Sequence, residues 1–177
     1  FSVETKIDGL SMSLRYAKEA DGKLHLQLAE TRGDGLIGED VTANAMVIGD
    51  VLQVIDLPYD SLELRGEVYM SHEDFEKYNE EQERLEKKTA ANPRNLAAGT
   101  LRQLDTSITK KRGLEMFIFN VQDGPAEIME SHSEGMDILK AAGVPVVYHK
   151  ICKTKDEVVS AIDEIGRMRE ELPYDID

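Results

Sequence analysis

Hydrophobic and polar positions alternate with a period of two over much of the first third of the chain, the signature of half-buried β-strands. Residues 1–5 and 12–17 are strand-like, with Asp8-Gly9 as turn chemistry between them and Asp21-Gly22 as the next turn. Residues 23–30 alternate cleanly and put Leu24, Leu26 and Leu28 on one face. These segments predict an antiparallel meander. A glycine-rich loop at 31–40, carrying Gly33, Gly35 and Gly38, leads to a short helix expected over 41–47. Residues 62–70 alternate again as a strand interrupted by Gly66.

The period then changes. Ser71 is placed to cap a helix running to Lys88, with Phe75, Tyr78, Gln82 and Leu85 at helical spacing. Asn92-Pro93, a cap followed by a first-turn proline, opens a helix to Leu104. The apolar run at 116–121 predicts a buried strand. Residues 133–142 predict a helix stopped by Gly143, and 144–151 a strand. Thr154-Lys155-Asp156-Glu157 is a capping box before a helix carrying Val158, Ile162, Ile165 and Met168. The expected class is α+β, mainly antiparallel, as one domain over 1–177. Phe1-Ser2-Val3-Glu4 reads as a strand already under way and Tyr174-Asp175-Ile176-Asp177 as one just beginning, so a domain incomplete at both ends is expected.

Composition is that of an ordinary globular protein: 41% hydrophobic and 32% charged. The formal net charge of −14 changes the picture more. A bare duplex-binding module relies on a basic surface to neutralise phosphates. This chain, if it works on DNA, needs a local basic patch or other domains for the grip. The lone Cys152 cannot form an internal disulfide, and no Cys/His cluster has zinc spacing. With no apolar run of about 18 residues and no signal-peptide pattern, a cytoplasmic protein without a membrane span is expected, and a monomer. His25, His72, His132 and His149 show no ligand spacing and read as ordinary surface or core residues.

Chemistry concentrates first in Glu4-Thr5-Lys6-Ile7-Asp8-Gly9, where alternation puts Glu4, Lys6 and Asp8 on one strand face. A lysine between two carboxylates reads equally as a solvated face with weak ion pairs or as a nucleophile. A nucleophilic amine must lose its proton, which desolvation or a nearby cation favours. The flanking carboxylates oppose that unless metal or arginine offsets them.

Lys6-Ile7-Asp8-Gly9 resembles the K-x-D-G nucleophile motif of covalent nucleotidyltransferases, namely DNA ligases, RNA ligases and mRNA capping enzymes. Four further stretches narrow the resemblance to NAD-dependent DNA ligases. They are Thr31-Arg32-Gly33-Asp34-Gly35 with Gly38-Glu39-Asp40-Val41-Thr42, Leu64-Arg65-Gly66-Glu67-Val68, Ala91-Asn92-Pro93-Arg94-Asn95 with Leu101-Arg102-Gln103-Leu104-Asp105, and the closing Tyr174-Asp175-Ile176-Asp177. An ATP-dependent ligase or capping enzyme would share K-x-D-G but not the N-P-R-N and L-R-Q-L-D stretches.

The resemblance implies that Lys6 attacks the α-phosphorus of NAD, releases nicotinamide mononucleotide and holds AMP, which passes to a DNA 5′-phosphate before a nick is sealed. It implies NAD and Mg2+ as cofactors, and NAD or AMP with nicked duplex DNA as partners. It makes Glu4 the acceptor for the adenine amino group and places Arg32 beside the ribose, under glycines that let backbone approach the ligand. Glu67 becomes the ribose-hydroxyl acceptor and Asp8 a positioning group for Lys6 with a role toward magnesium. Ile7 lies within the nucleotide-binding motif, and Phe119 matches the aromatic that stacks on adenine. Arg94 and Arg102, about two turns apart on one predicted helix, match arginines that handle phosphate, nicotinamide mononucleotide or DNA, and Arg169 another arginine near the nucleotide. Two lysines that the family carries beyond Asp177 are expected to contact the nucleotide. The chain alone is therefore expected to adenylate weakly, or to act as a non-catalytic adenine-nucleotide-binding fragment.

Overall fold

The structure, a computed structural model, describes residues 1–32 and 38–177. In chain order its first elements are β1 (Ser2–Glu4), β2 (Leu10–Lys18), β3 (Leu24–Thr31), α1 (Thr42–Ala45), β4 (Val54–Ile55), β5 (Ser61–Met70) and α2 (His72–Arg84). Then follow α3 (Pro93–Leu101), α4 (Thr106–Lys111), β6 (Leu114–Asp123), α5 (Ala126–Met129), α6 (His132–Ala141), β7 (His149–Ile151) and α7 (Lys155–Met168). The α+β class with antiparallel sheets is as the patterning predicts.

Five strands form one antiparallel sheet in the order β4-β3-β2-β5-β6. Its buried face carries Met12, Leu14, Leu24, Leu62, Leu64, Val68 and Met116, on which Leu96, Ala97 and Leu101 of α3 pack. The expected inward set of β3 is corrected at Leu28. The β2–β3 register slips between Arg15 and Tyr16, so that Arg15 faces Leu28 and Tyr16 faces Leu26. Gln27 is the extra residue of a bulge, which reverses the alternation and buries Ala29 in place of Leu28.

β1 is a second correction. It does not join β2 in a meander but pairs with β7 in a separate two-stranded sheet. Chain 5–8 then runs between two neighbours. The Thr5 N–H donates to the Tyr148 carbonyl at 3.1 Å, the Asp8 N–H to Asp175 at 3.0 Å, and the Asp177 N–H to Lys6 at 2.8 Å. A small core of Ile7, Tyr69, Val147, Tyr174 and Ile176 fills the space beneath. Tyr69 stacks on Phe117 at 5.5 Å and meets Tyr174 at 4.8 Å.

The caps are where the sequence puts them. Ser71, Asn92 and Thr154 each accept an N–H in the first turn of α2, α3 and α7, and Thr154 completes the capping box with Glu157. Three spans shorten. α2 ends at Arg84 because Glu86 adopts φ 53°, a left-handed stop. α3 ends at Leu101 because Asp105 caps a new helix, leaving Leu104 fully exposed. Only His149–Ile151 of the expected 144–151 strand pairs with β1, while Val146 makes a lone parallel bridge to Ile118. On α7 the buried position is Ala161, and Ile162 is exposed. No described helix is long and apolar enough to cross a membrane.

Candidate active site

The segment from Glu4 to Asp8 and the β2–β5–β6 part of the main sheet enclose a cleft of about 450 Å³. Five stretches distant in sequence meet there. Glu4, Lys6 and Asp8 come from the first, Arg32 from the end of β3, Glu67 from β5, Arg94 from the first turn of α3, and Phe119 from β6. Ile7 lines the cleft and is also buried in the small core, so it anchors the motif.

Gly9 makes this convergence possible. A Cβ there would lie 2.1 Å from the Val68 carbonyl oxygen, so only glycine lets the segment cross β5 this closely. Gly66 is required for the same reason, since its Cβ would sit 2.5 Å from Phe117 O and from the Met116 side chain. Strand β5 runs unbroken through it. The crossing brings Ser11 opposite Glu67, whose Oε2 accepts from the Ser11 hydroxyl at 2.7 Å.

Burial lifts the Glu67 carboxyl above its ordinary range, and the Ser11 hydroxyl, Arg94, the Gly9 N–H and Lys6 pull the other way. Arg94 Nη1 lies 3.3 Å from Asp8 Oδ1. An arginine therefore offsets one of the two carboxylates flanking the lysine. Lys6 itself is exposed at the cleft and donates to Asp177, whose carboxyl that bond holds below the usual carboxylate range. The buried Thr5 hydroxyl on the cleft wall has no partner among the described residues.

Not every expected residue gathers here. Arg102 does not line the cleft with Arg94. As the C-cap of α3 it pairs with Glu39, and it reaches the Ala98 carbonyl at 3.5 Å. The separation follows from the helix: one arginine sits in its first turn and the other beyond its last. Arg169 caps α7 and also lies outside the cleft lining, though its charge helps to depress Asp177. Gly33 and Gly35, expected to approach the ligand, lie outside the described residues, as does Asp34. The described flanks of that loop are held together, with the Thr31 N–H on Glu39 O at 3.0 Å and a bridge between Glu30 and Asp40.

Two groups read as ordinary histidines in the sequence bear on the site. His132 Nε2 lies 2.6 Å from Glu4 Oε1, and His72 Nε2 lies 2.9 Å from Asp175 Oδ1. No local signal could have found the first, because its partner is 128 residues away. The basic runs seen in sequence serve elsewhere. Lys111 bonds Glu81, and Arg112 sits over the Tyr78 ring at 5.0 Å, beside a separate cavity of about 420 Å³ between α2 and α4.

The cleft is lined by the carboxylates Glu4, Asp8 and Glu67, two arginines and one exposed amine. A family model of the NAD-dependent DNA ligase adenylation domain matches residues 1–177. The chain belongs to that family. Its relatives include the DNA ligase of Clostridium kluyveri (strain ATCC 8527), 47% identical over 178 residues, and that of Thermoanaerobacter sp. (strain X514), 45% identical over 179 residues. Each match covers 100% of this chain and 26% of the relative. The DNA ligase of Jannaschia sp. (strain CCS1) is 46% identical, over 100% of this chain and 23% of its own length. The chain thus spans about a quarter of the length of the curated relatives it matches. Membership of an NAD-dependent ligase adenylation family settles the choice left open by K-x-D-G against the ATP-dependent ligases and capping enzymes.

Proposed function

We propose that this domain carries the self-adenylation step of an NAD-dependent DNA ligase, with Lys6 as the nucleophile. The observation that carries the reading is the meeting of Glu4, Lys6, Asp8, Arg32, Glu67, Arg94 and Phe119, from five separate stretches of chain, around one nucleotide-sized cleft. The acceptors sort the ligand. Glu4, which as a carboxylate can only accept, takes the adenine amino group, and Glu67 takes a ribose hydroxyl. Phe119 offers a π-face to the base, without the hydroxyl of a tyrosine. Arg32 and Arg94 supply the positive charge that a phosphoryl-transfer transition state needs around its equatorial oxygens.

The bond that forms joins Lys6 Nζ to the α-phosphorus of NAD. The bond that breaks is that between the α-phosphorus and the bridging oxygen, which leaves with nicotinamide mononucleotide. The amine, exposed to solvent, can attack only after giving up its ion pair with Asp177 and passing one proton to water. Arg94 on Asp8 offsets part of the negative charge beside Lys6. Among the described residues no group of three His, Cys, Asp or Glu side chains could hold a metal. Magnesium prefers substrate phosphates, waters and one or two carboxylates to an all-protein cage, and Asp8 is the carboxylate that would help to hold it. Bound there, it would neutralise developing charge on the phosphate. AMP then passes to the 5′-phosphate of nicked DNA, held largely by other parts of the full-length protein, in keeping with the chain's net charge of −14.

Intact mass spectrometry after incubation with NAD and magnesium tests the reading. An added adenylate on Lys6, absent in Lys6→Arg and absent with ATP alone, is expected of the full-length protein. Adenosine binding with no adduct would instead make this a non-catalytic nucleotide-binding module, and labelling from ATP would overturn the choice of NAD.

A further inference from the structure

We infer that His132 and Ser2 are positioning residues that orient the Glu4 carboxylate and so set the preference for a base bearing an exocyclic amino group. The inference rests on the reading of Glu4 as the adenine acceptor. Both groups address the same oxygen: His132 Nε2 lies 2.6 Å from Glu4 Oε1, and the Ser2 hydroxyl donates to Oε1 at 2.7 Å. Two donors on one oxygen fix the rotation of the carboxylate about its last bond. The other oxygen, Oε2, remains as the acceptor for a ligand in the cleft that Glu4 lines.

His132 is not among the residues that line the nucleotide cleft. It is the first residue of α6, whose cap is Ser131, and it lines a different, smaller cavity of about 160 Å³ with Asn120 and Met129. It therefore acts on the ligand only through Glu4. The pair is only partly exposed, with side chains 22% accessible at Glu4 and 40% at His132. Its strength as a stabilising contact is accordingly small, but its geometric effect is not. A carboxylate left free to rotate presents a given oxygen to the base only part of the time. It also loses the restraint that makes an acceptor selective for a donor.

Binding of AMP and of purine riboside 5′-monophosphate, which lacks the amino group, reads this directly by calorimetry on the full-length protein. A hydrogen bond to a charged acceptor makes the parent prefer AMP by about tenfold or more. His132→Leu is expected to narrow that preference to about threefold or less by weakening AMP alone. His132→Gln, which keeps a donor near the same place, restores it, and the thermal midpoint is unchanged in both. Ser2→Ala narrows it to a smaller extent. Equal weakening of both ligands in His132→Leu, or an unchanged ratio, overturns the proposal. Glu4→Ala separates the two levels. If it abolishes the preference while His132→Leu does not, only the positioning role fails. If Glu4→Ala leaves the preference intact, the adenine-acceptor reading falls and takes the proposal with it.

Discussion

The two sheets that wall the cleft are built in different ways. The five-stranded sheet rests on a continuous core with Leu24, Leu62, Leu64 and Val68 almost wholly buried, and its central strands β2 and β5 pair over eight residues. The two-stranded sheet pairs three residues with three, and its small core of Ile7, Tyr69, Val147, Tyr174 and Ile176 joins four separate stretches of chain. The first wall supplies Glu67 and Phe119 and is rigid because the whole domain depends on it. The second sheet supplies Glu4 and leads into the segment that carries Lys6 and Asp8, which is held by a few contacts, several of them aromatic. Stability and nucleotide binding should therefore separate according to which wall is disturbed.

The largest expected effect is on the main core. Leu64→Ala is expected to cost about 4 kcal/mol, through lost burial and the cavity left behind. Denaturant unfolding would show it, and nucleotide affinity of the remaining folded molecules would change little. Tyr174→Ala, in the small core, is expected to cost about 3 kcal/mol, because that core is small and loses fewer contacts. Its effect on adenylate binding should exceed its effect on stability, because the 174–177 segment holds Lys6 and Asp8 in place. Equal losses of binding in the two variants would erase the distinction between the walls.

Glu67 sharpens the comparison through pH. Its folded carboxyl titrates above the unfolded value, so its contribution to stability is present in full below about pH 4.5 and is lost as pH rises through the folded value. Glu67→Gln escapes that loss. The variant is expected to melt higher than the parent at pH 7, with no advantage at pH 4, and to bind AMP more weakly at pH 7. A thermal midpoint below the parent at pH 7 would show that the Ser11 and Arg94 interactions outweigh the burial cost. The smallest effect belongs to the outer face of the same sheet. Arg15 bridges Glu30 and Glu63 at 3.2 Å each but is half exposed. Arg15→Ala is expected to cost less than about 1 kcal/mol, and that little should fade in high salt.

Legibility in the sequence followed the same division. Period-two alternation located β2, β3 and β5, an apolar run located β6, and cap chemistry at Ser71, Asn92 and Thr154 located three helix starts, because all three signals are local. The K-I-D-G segment and its companion stretches brought the cleft residues forward by resemblance alone. What stayed hidden depends on pairing across long distances. The attachment of β1 to β7 looked like the first strand of a meander, since Asp8-Gly9 resembles a hairpin turn. Gln27 gave no sign of a bulge, and so Leu28 was placed inward. His132 carried no local mark of its contact with Glu4. Arg102 was grouped with Arg94 by helical spacing, yet the helix ended before it and delivered it to Glu39.

The backbone on either side of Lys6 has one further consequence, concerning speed. The chain there is tied to a neighbour on both edges, at Thr5 on one side and at Lys6 and Asp8 on the other. The nitrogen, by contrast, sits at the end of a flexible stem on the surface. Passage from its resting partner Asp177 to an attacking position requires only torsional hops of an exposed side chain, which take picoseconds to nanoseconds. Such a step is far too quick to limit turnover. A slow phase before adenylate transfer would have to arise in a motion larger than anything the lysine itself performs.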